Sequence, residues 1–525
     1  MSTTVPPPAD VDQEDVRTVH ERVADVVATA LLGGPAKQRE RHQAAGKLLV
    51  RDRLALLLDE EPSFEDGLLA RSAEGLPGDA VVCCVGTIGG REVCVIANDY
   101  TVKAGTWGKR TFEKITRMQD LADEIGAPLI YLVDAAGARI DEQFESYAGR
   151  RAWGNIFYNQ IQVSGRVPQV CALFGPSPAG SAYVPALCDY TVMVRGNATA
   201  YLGAPRQAEM VTGERVTLEE MGGAEMHCTV SGLGDLLVDT EEEAIAALRV
   251  WLSYLPSRWD QRPPRVTARP PRADARPVEE IVPVREAQAF DIEELIEAVV
   301  DEGSFFAYKP LFARELTAGF ARLGGESVGI IANQPTQKGG VLFSDSSDKA
   351  ARFVWICNAF NIPLLFLVDI AGYMIGSAVE RDGIIRHGAK MLFAVAESRV
   401  PRIAVLVRKA YGGGYLAMSG SPMGPDAVLA LPTAKPALMG PEAAVNAIHY
   451  NKLAAIEDPE ERARVEAELR AEYDADIDVL KIANENAVEA VVQGDALRDE
   501  LITRFALYRR RPAEPHVRRN GVYPV

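Results

Sequence analysis

Two short runs of small residues, Ala179-Gly180-Ser181 and Gly412-Gly413-Gly414, hold the chemistry that this 525-residue sequence offers most directly. Glycine weakens helices and strands alike, by roughly 0.5 to 1 kcal/mol relative to alanine, so three in a row within KAYGGGYLAM signal close backbone approach or an unusual backbone angle. Each run follows an expected strand and precedes an expected helix. A turn of that kind leaves unpaired amide N–H groups at the helix start, and small residues let a ligand atom come near them. Such donors suit a phosphate, or an oxygen on which negative charge develops during a reaction. Neither turn carries the GxxxxGK[ST] or GxGxxG pattern of a nucleotide loop, so an oxyanion hole is left, with close helix–strand packing as the plain alternative.

Nucleophile motifs are missing. There is no GxSxG, the six histidines stand at 20, 42, 227, 387, 449 and 516, and none is near Ser177 or Ser181 in the sequence. His387 reads as a helix-surface residue. The seven cysteines form no CxxC pair and fall mostly in apolar segments, which suggests reduced core thiols and no metal site.

The elements that position the two turns are written twice. IANDYTVKAG (96–105) and IANQPTQKGG (331–340) share six residues of ten, and APLIYLVDAAGA (127–138) and IPLLFLVDIAGY (362–373) share seven of twelve, both at a spacing of 235. GRVPQVCALFG (165–175) parallels SRVPRIAVLVR (398–408) at 233, and that alignment sets Ala179-Gly180-Ser181 against Gly412-Gly413-Gly414. Before each LVD strand an amphipathic helix is expected, carried by Phe112, Ile115, Met118, Leu121 and Ile125 in one half and by Phe353, Ile356, Cys357 and Phe360 in the other. Gly126 and Asn361 then stand where a left-handed residue ends a helix.

Short apolar strands alternating with helices predict a duplicated α/β fold built from βα crossover units. The segment 256–277, rich in proline and arginine, reads as an extended connector, placing the domains at 1–264 and 265–525. The N-terminal arm and a charged helix around 457–475 are additions to the repeat. A net charge of −17 argues against nucleic acid and anionic membranes as partners. With no 18-residue apolar run and a polar, proline-bearing start, a cytoplasmic protein is expected.

These segments are where the chain resembles the carboxyltransferase (beta) subunits of biotin-dependent acyl-CoA carboxylases, of the propionyl-CoA and methylcrotonyl-CoA carboxylase type. The likeness runs from about residue 20 to 525 through GKLLVRDRLALLLDE, VKAGTWG, FYNQIQVSGRVPQV, AGSAYVPALCDYTVMV, GGAEMH, GGVLFSDSS, PLLFLVDIAGYMIG and VRKAYGGGYLAM. It implies two crotonase-like (ClpP/crotonase superfamily) ββα-superhelix domains, the first facing acyl-CoA and the second facing biotin. It implies carboxyl transfer from carboxybiotin through a thioester enolate, with two oxyanion holes. Ala179 and Gly180 match the first hole, with Ser181 nominated by the repeat as well, and Gly413 and Gly414 match the second. Ser181, Tyr183, Tyr415 and Leu416 fall at substrate-binding positions.

The sequence departs from many relatives in having Ser181 after Gly180 and Leu416 after YGGGY, where an isoleucine or aspartate is frequent. The first half is closer to the methylcrotonyl-CoA branch, and 429–452 to propionyl-CoA carboxylase and glutaconyl-CoA decarboxylase subunits. Lys390 in GAKML lacks the preceding methionine of a biotinylated lysine, and no ATP-binding half is visible, so the resemblance implies an alpha subunit with biotin carboxylase and carrier domains, and a hexameric beta core with sites between subunits. Two other readings are open: a decarboxylase subunit of the glutaconyl-CoA or methylmalonyl-CoA type with a membrane partner, and a non-catalytic scaffold docking through the connector and the RRRPAEPHVRRN tail.

Overall fold

The computed structural model describes residues 13–147, 153–511 and 522–523. The first twelve residues and 512–520, with His516 and most of the arginine-rich tail, lie outside the described residues.

Two sheets of one design account for the repeat. In the first, Phe64–Asp66, Val81–Ile88, Arg91–Asn98, Leu129–Val133, Gln169–Leu173, Tyr190–Val194 and Leu236–Val238 are neighbours in that order. In the second, the order is Phe306–Tyr308, Leu316–Leu323, Glu326–Asn333, Leu364–Ile370, Arg402–Tyr411, Ala427–Ala430 and Ala490–Val491. The first three strands of each pair antiparallel and the rest parallel. This is the mixed α/β, crotonase-like arrangement expected from the sequence.

Local chemistry repeats as well. Each long hairpin turns on two glycines with positive φ, Gly89-Gly90 (57° and 72°) and Gly324-Gly325 (62° and 81°), as a two-residue turn matched to strand twist requires. The helices Lys109–Ile125 and Ser344–Ala359 end at Gly126 (φ 68°) and Asn361 (φ 56°). Each buries one lysine whose ammonium binds main-chain carbonyls: Lys114 those of Gly78 and Val81, Lys349 those of Lys309, Phe312, Ala313 and Leu316. One expectation needs correction. The first helix is amphipathic, with Ile125 on its exposed side, whereas Ser344–Ala359 is buried almost all round because the helix Ile384–Glu397 covers its other face.

The halves share a core. Trp251 stacks on Tyr190 (4.1 Å between ring centres) and packs against Phe320 at 4.5 Å, and Tyr308 stacks on Phe353 at 5.2 Å. Lys309 pairs with Asp235 across the junction at 2.5 Å. The connector contains no helix or strand, yet it is tied down, with Val266 donating to the Gly325 carbonyl (3.0 Å) and Pro270 accepting from Glu302 (2.9 Å). The charged helix is Pro459–Asp476 and buries none of its residues. Among the described residues, no helix is long and apolar enough to cross a membrane.

Candidate active site

Both turns adopt one backbone. After the strand Gln169–Leu173 the chain makes a short extension, Pro176–Pro178, and enters the tight helical turn Ala179–Ala182, which runs into the helix Tyr183–Leu187. The long strand Arg402–Tyr411 passes directly into the helix Gly412–Ala417. Ala179 and Gly412, paired by the repeat, share a φ of +53°. That angle is easy for glycine and costs an alanine about 1–2 kcal/mol.

The register shows which amides are spent. Pro178 has no amide hydrogen, so its parallel bridge to Tyr201 draws on the amide of Ala179, and the alternation of the Lys409–Tyr411 ladder gives Gly412 the same task toward Ala437. In each half the left-handed residue therefore shapes the turn; the amides of Gly413 and Gly414 open the second helix, while in the first the 3₁₀ turn Ala179–Ala182 directs the Ser181 amide back to the Pro178 carbonyl and Gly180 follows the left-handed residue.

Space around these pairs differs. A β-carbon on Gly413 would meet nothing within 4 Å, whereas one on Gly180 would collide with the ring of Trp153. Gly414 is hemmed in by Ile370 Cδ1 (2.8 Å) and Gly372 Cα (2.9 Å) around its β-carbon position. Ser181 is buried, and its hydroxyl donates to the Pro178 carbonyl at 2.6 Å, closing the turn. Tyr183 is half-exposed and ends an aromatic file, with ring centres 5.4 Å from Trp153 to Phe157 and 6.0 Å on to Tyr183. Tyr415 instead is used internally, its hydroxyl accepting the Ser421 amide at 2.9 Å and its ring lying against Gly420. Leu416 is partly buried beside it.

Sequence reading did not assign the loops beneath the turns. Gly137 (φ 95°) and Gly372 (φ 141°) occupy matched positions after the LVD strands. Trp107 donates to the Gly137 carbonyl and Arg139 to that of Trp107, both at 2.9 Å, and Leu342–Gly372 (3.2 Å) and Met374–Leu342 (2.9 Å) repeat the pattern. Pro178 lies over Gly137, as Gly414 lies over Gly372. The D-x-A-G shared by both repeats was the available signal.

Histidines have other duties. The ring of His227 bridges Ser231 Oγ and the Ala200 carbonyl, both at 2.7 Å, and burial lowers its pKa. His387 and Lys390 both pair with Asp348 at 2.8 Å. Ser177 Oγ is buried with no partner among the described residues. Neither Ser177 nor Ser181 is hydrogen-bonded to a histidine, so the turns offer donors with no adjacent base.

Comparison with known proteins gives the family and the fold. The carboxyl transferase domain model matches residues 41–523. The chain is 54% identical over 494 residues to the "Uncharacterized carboxylase YngE" of Bacillus subtilis (strain 168), covering 94% of this chain and 96% of that one. It is 39% identical over 506 residues to the propionyl-CoA carboxylase carboxyltransferase subunit of Haloferax mediterranei, covering 94% and 97%. Among solved structures, the transcarboxylase 12S hexamer with methylmalonyl-coenzyme A bound superposes with a TM-score of 0.87 at 35% identity, covering 95% of this chain and 98% of that one.

Proposed function

This chain belongs to the carboxyl transferase family, and we propose that it is the carboxyltransferase subunit of an acyl-CoA carboxylase, moving a carboxyl group from carboxybiotin on a partner carrier to the enolate of an acyl-CoA thioester. The observation that carries the reading is the pair of turns that share one left-handed backbone angle, each leading glycine amides into a helix start.

In this reading the first half, 1–264, takes the acyl-CoA and the second, 265–525, the biotin. Gly180 presents its amide to the thioester oxygen, where negative charge accumulates as the enolate forms, with Ala179 setting the turn and Ser181 closing it onto the Pro178 carbonyl. Gly413 and Gly414 do the same for the ureido oxygen. The second turn fits such a group, because the space over Gly413 is open and Leu416 adds an apolar wall. When bound, carboxybiotin would supply the transferable carboxyl and, once that carboxyl has left, a ureido nitrogen basic enough to accept the substrate proton, which agrees with turns that carry no histidine. Preorganised amides of this kind are worth on the order of 10² to 10³ in rate apiece. Tyr183, at the end of its aromatic file, borders the acyl side, and Tyr415 braces the biotin side.

The transcarboxylase likeness supports a hexamer in which one subunit's first half faces another's second, and the subunit would work in the cytoplasm with an alpha subunit bearing biotin carboxylase and carrier domains. Purified protein supplied with the carboxylated carrier should carboxylate at least one member of a panel of short, branched, unsaturated and long acyl-CoAs. Transfer to none of them would refute the assignment. Co-purification with membrane subunits, and transfer only from carboxyacyl-CoA to biotin, would replace it with the decarboxylase reading.

A further inference from the structure

The repeat places Asp134 against Asp369, each fully buried at the end of its LVD strand and immediately before the loop beneath a donor turn. A buried carboxylate is expensive without compensation, and both receive two cations. In the second half the cations come from the neighbouring strand: Arg408 reaches Asp369 Oδ2 at 2.6 Å, while Lys409 gives Oδ1 its amide and its ammonium, both at 3.2 Å. In the first half the residues aligned with Arg408 and Lys409 are Gly175 and Pro176, neither of which carries a charge, and Pro176 has no amide hydrogen to replace that of Lys409.

The compensation is nevertheless kept, from a different part of the chain. Lys47 pairs with Asp134 Oδ2 at 2.6 Å and Arg53 with the same oxygen at 3.0 Å, both sent from the N-terminal arm. Arg53 is itself fixed by Glu241 at 2.7 Å. Gly175 is what lets this happen, since a β-carbon there would collide with Asp134 Oδ1. Asp134 Oδ1 has no hydrogen-bond partner among the described residues, so the first clamp depends wholly on the arm's grip on Oδ2.

Each aspartate leads straight into its floor. Beyond Asp134, Ala135 donates to the Pro176 carbonyl (3.0 Å) and Ala136 to that of Ala104 (3.0 Å), and Gly137 supports Pro178, the residue before Ala179. Beyond Asp369, Ile370 and Gly372 support Gly414.

Resting on the carboxyltransferase reading, we propose that Asp134 and Asp369 are positioning residues, each holding the floor of one donor turn, and that Lys47 and Arg53 make the acyl-CoA side of the site dependent on the N-terminal arm. Two copies of one design, one with its cation pair on the neighbouring strand and the other drawing its pair from elsewhere, point to a requirement at the carboxylate itself. Small displacements of a donor turn are costly to catalysis, so the effect belongs in kinetics as well as in stability.

The test uses the full chain, with carboxyl transfer from a carboxylated acyl-CoA to free biotin as the assay. Lys47→Met and Asp134→Asn should raise the acyl-CoA KM about tenfold and leave the biotin KM unchanged, Lys47→Arg should restore the wild-type value, and Asp369→Asn should raise the biotin KM alone. Lys47, partly exposed, serves if the aspartate variants fail to fold. Amide hydrogen exchange gives a readout that needs no activity: Lys47→Met should speed exchange across 135–139 and 176–182 and leave 370–376 and 412–416 as in wild type. Unchanged exchange in the first floor, or equal shifts in both KM values, would overturn the proposal. An inactive wild type would count against the functional reading instead, with the exchange result still deciding this one.

Discussion

In the first turn an alanine carries the left-handed backbone that a glycine carries in the second, and the residue after it is pressed against Trp153 where its counterpart, Gly413, faces open space. One backbone thus serves two surroundings. The first turn is built into the body of its half, roofed by an aromatic file; the second is open above and supported from below. A turn walled by its own chain suits recognition of a small reacting group, and an open one suits a group delivered on another protein.

That difference can be broken most sharply at the glycines. Gly413→Val should lower carboxyl transfer by at least 10² to 10³, with the oligomer and its melting temperature unchanged, because the added atoms fill only the space meant for the ligand. If the variant keeps wild-type turnover, the second turn is not a donor site. Gly180→Val should lose activity too, but with a stability loss of about 1–3 kcal/mol in chemical denaturation, as Trp153 is displaced. Equal stability for the two variants would remove the contrast drawn above.

Exchanging the left-handed residues should give smaller, opposite results. Gly412→Ala is expected to destabilise by about 1 kcal/mol, since the new methyl sits at φ +53° and 3.0 Å from the Leu438 carbonyl. Ala179→Gly relieves the same strain and increases unfolded-state freedom, so its melting temperature should stay within a few degrees of wild type.

A matched pair of aspartates adds a pH-dependent comparison. Asp189 accepts the Gln169 amide at 2.8 Å and Asp426 accepts that of Arg402 at 2.9 Å, but Asp426 also pairs with Arg511 while Asp189 is sealed in the core. Burial pushes the Asp189 carboxyl up to about 7 from an ordinary value near 3.8. The folded protein then holds a proton that the unfolded chain has released, so this group subtracts stability as pH rises from about 4 to about 7. Asp189→Asn should gain on wild type at pH 8 relative to pH 5 in denaturant titrations, and Asp426→Asn should instead lose under about 1 kcal/mol with its surface ion pair.

Much of this architecture was legible from the repeat, because short apolar strands and helix stops at Gly126 and Asn361 leave the same marks twice. The turns were legible for the same reason. What escaped was whatever one copy does by a different route. The partnership of Lys47 and Arg53 with Asp134 is invisible in a linear sequence, since nothing there says that Gly175 has made room for them. The amide of Ala179 looked available until the pairing of Pro178 with Tyr201 showed where it is directed. The second helix was read as amphipathic because its covering helix comes 25 residues after it in the chain.

The aromatic stack joining Tyr190 and Trp251 to Phe320 has an evolutionary meaning. Gene duplication normally leaves two units that can be lost, shuffled or expressed apart, but here each inherited lobe keeps its interior dry only by borrowing rings from its twin. Separate expression of either lobe should yield insoluble chain, and a lineage that fused them this way has no easy path back to two genes.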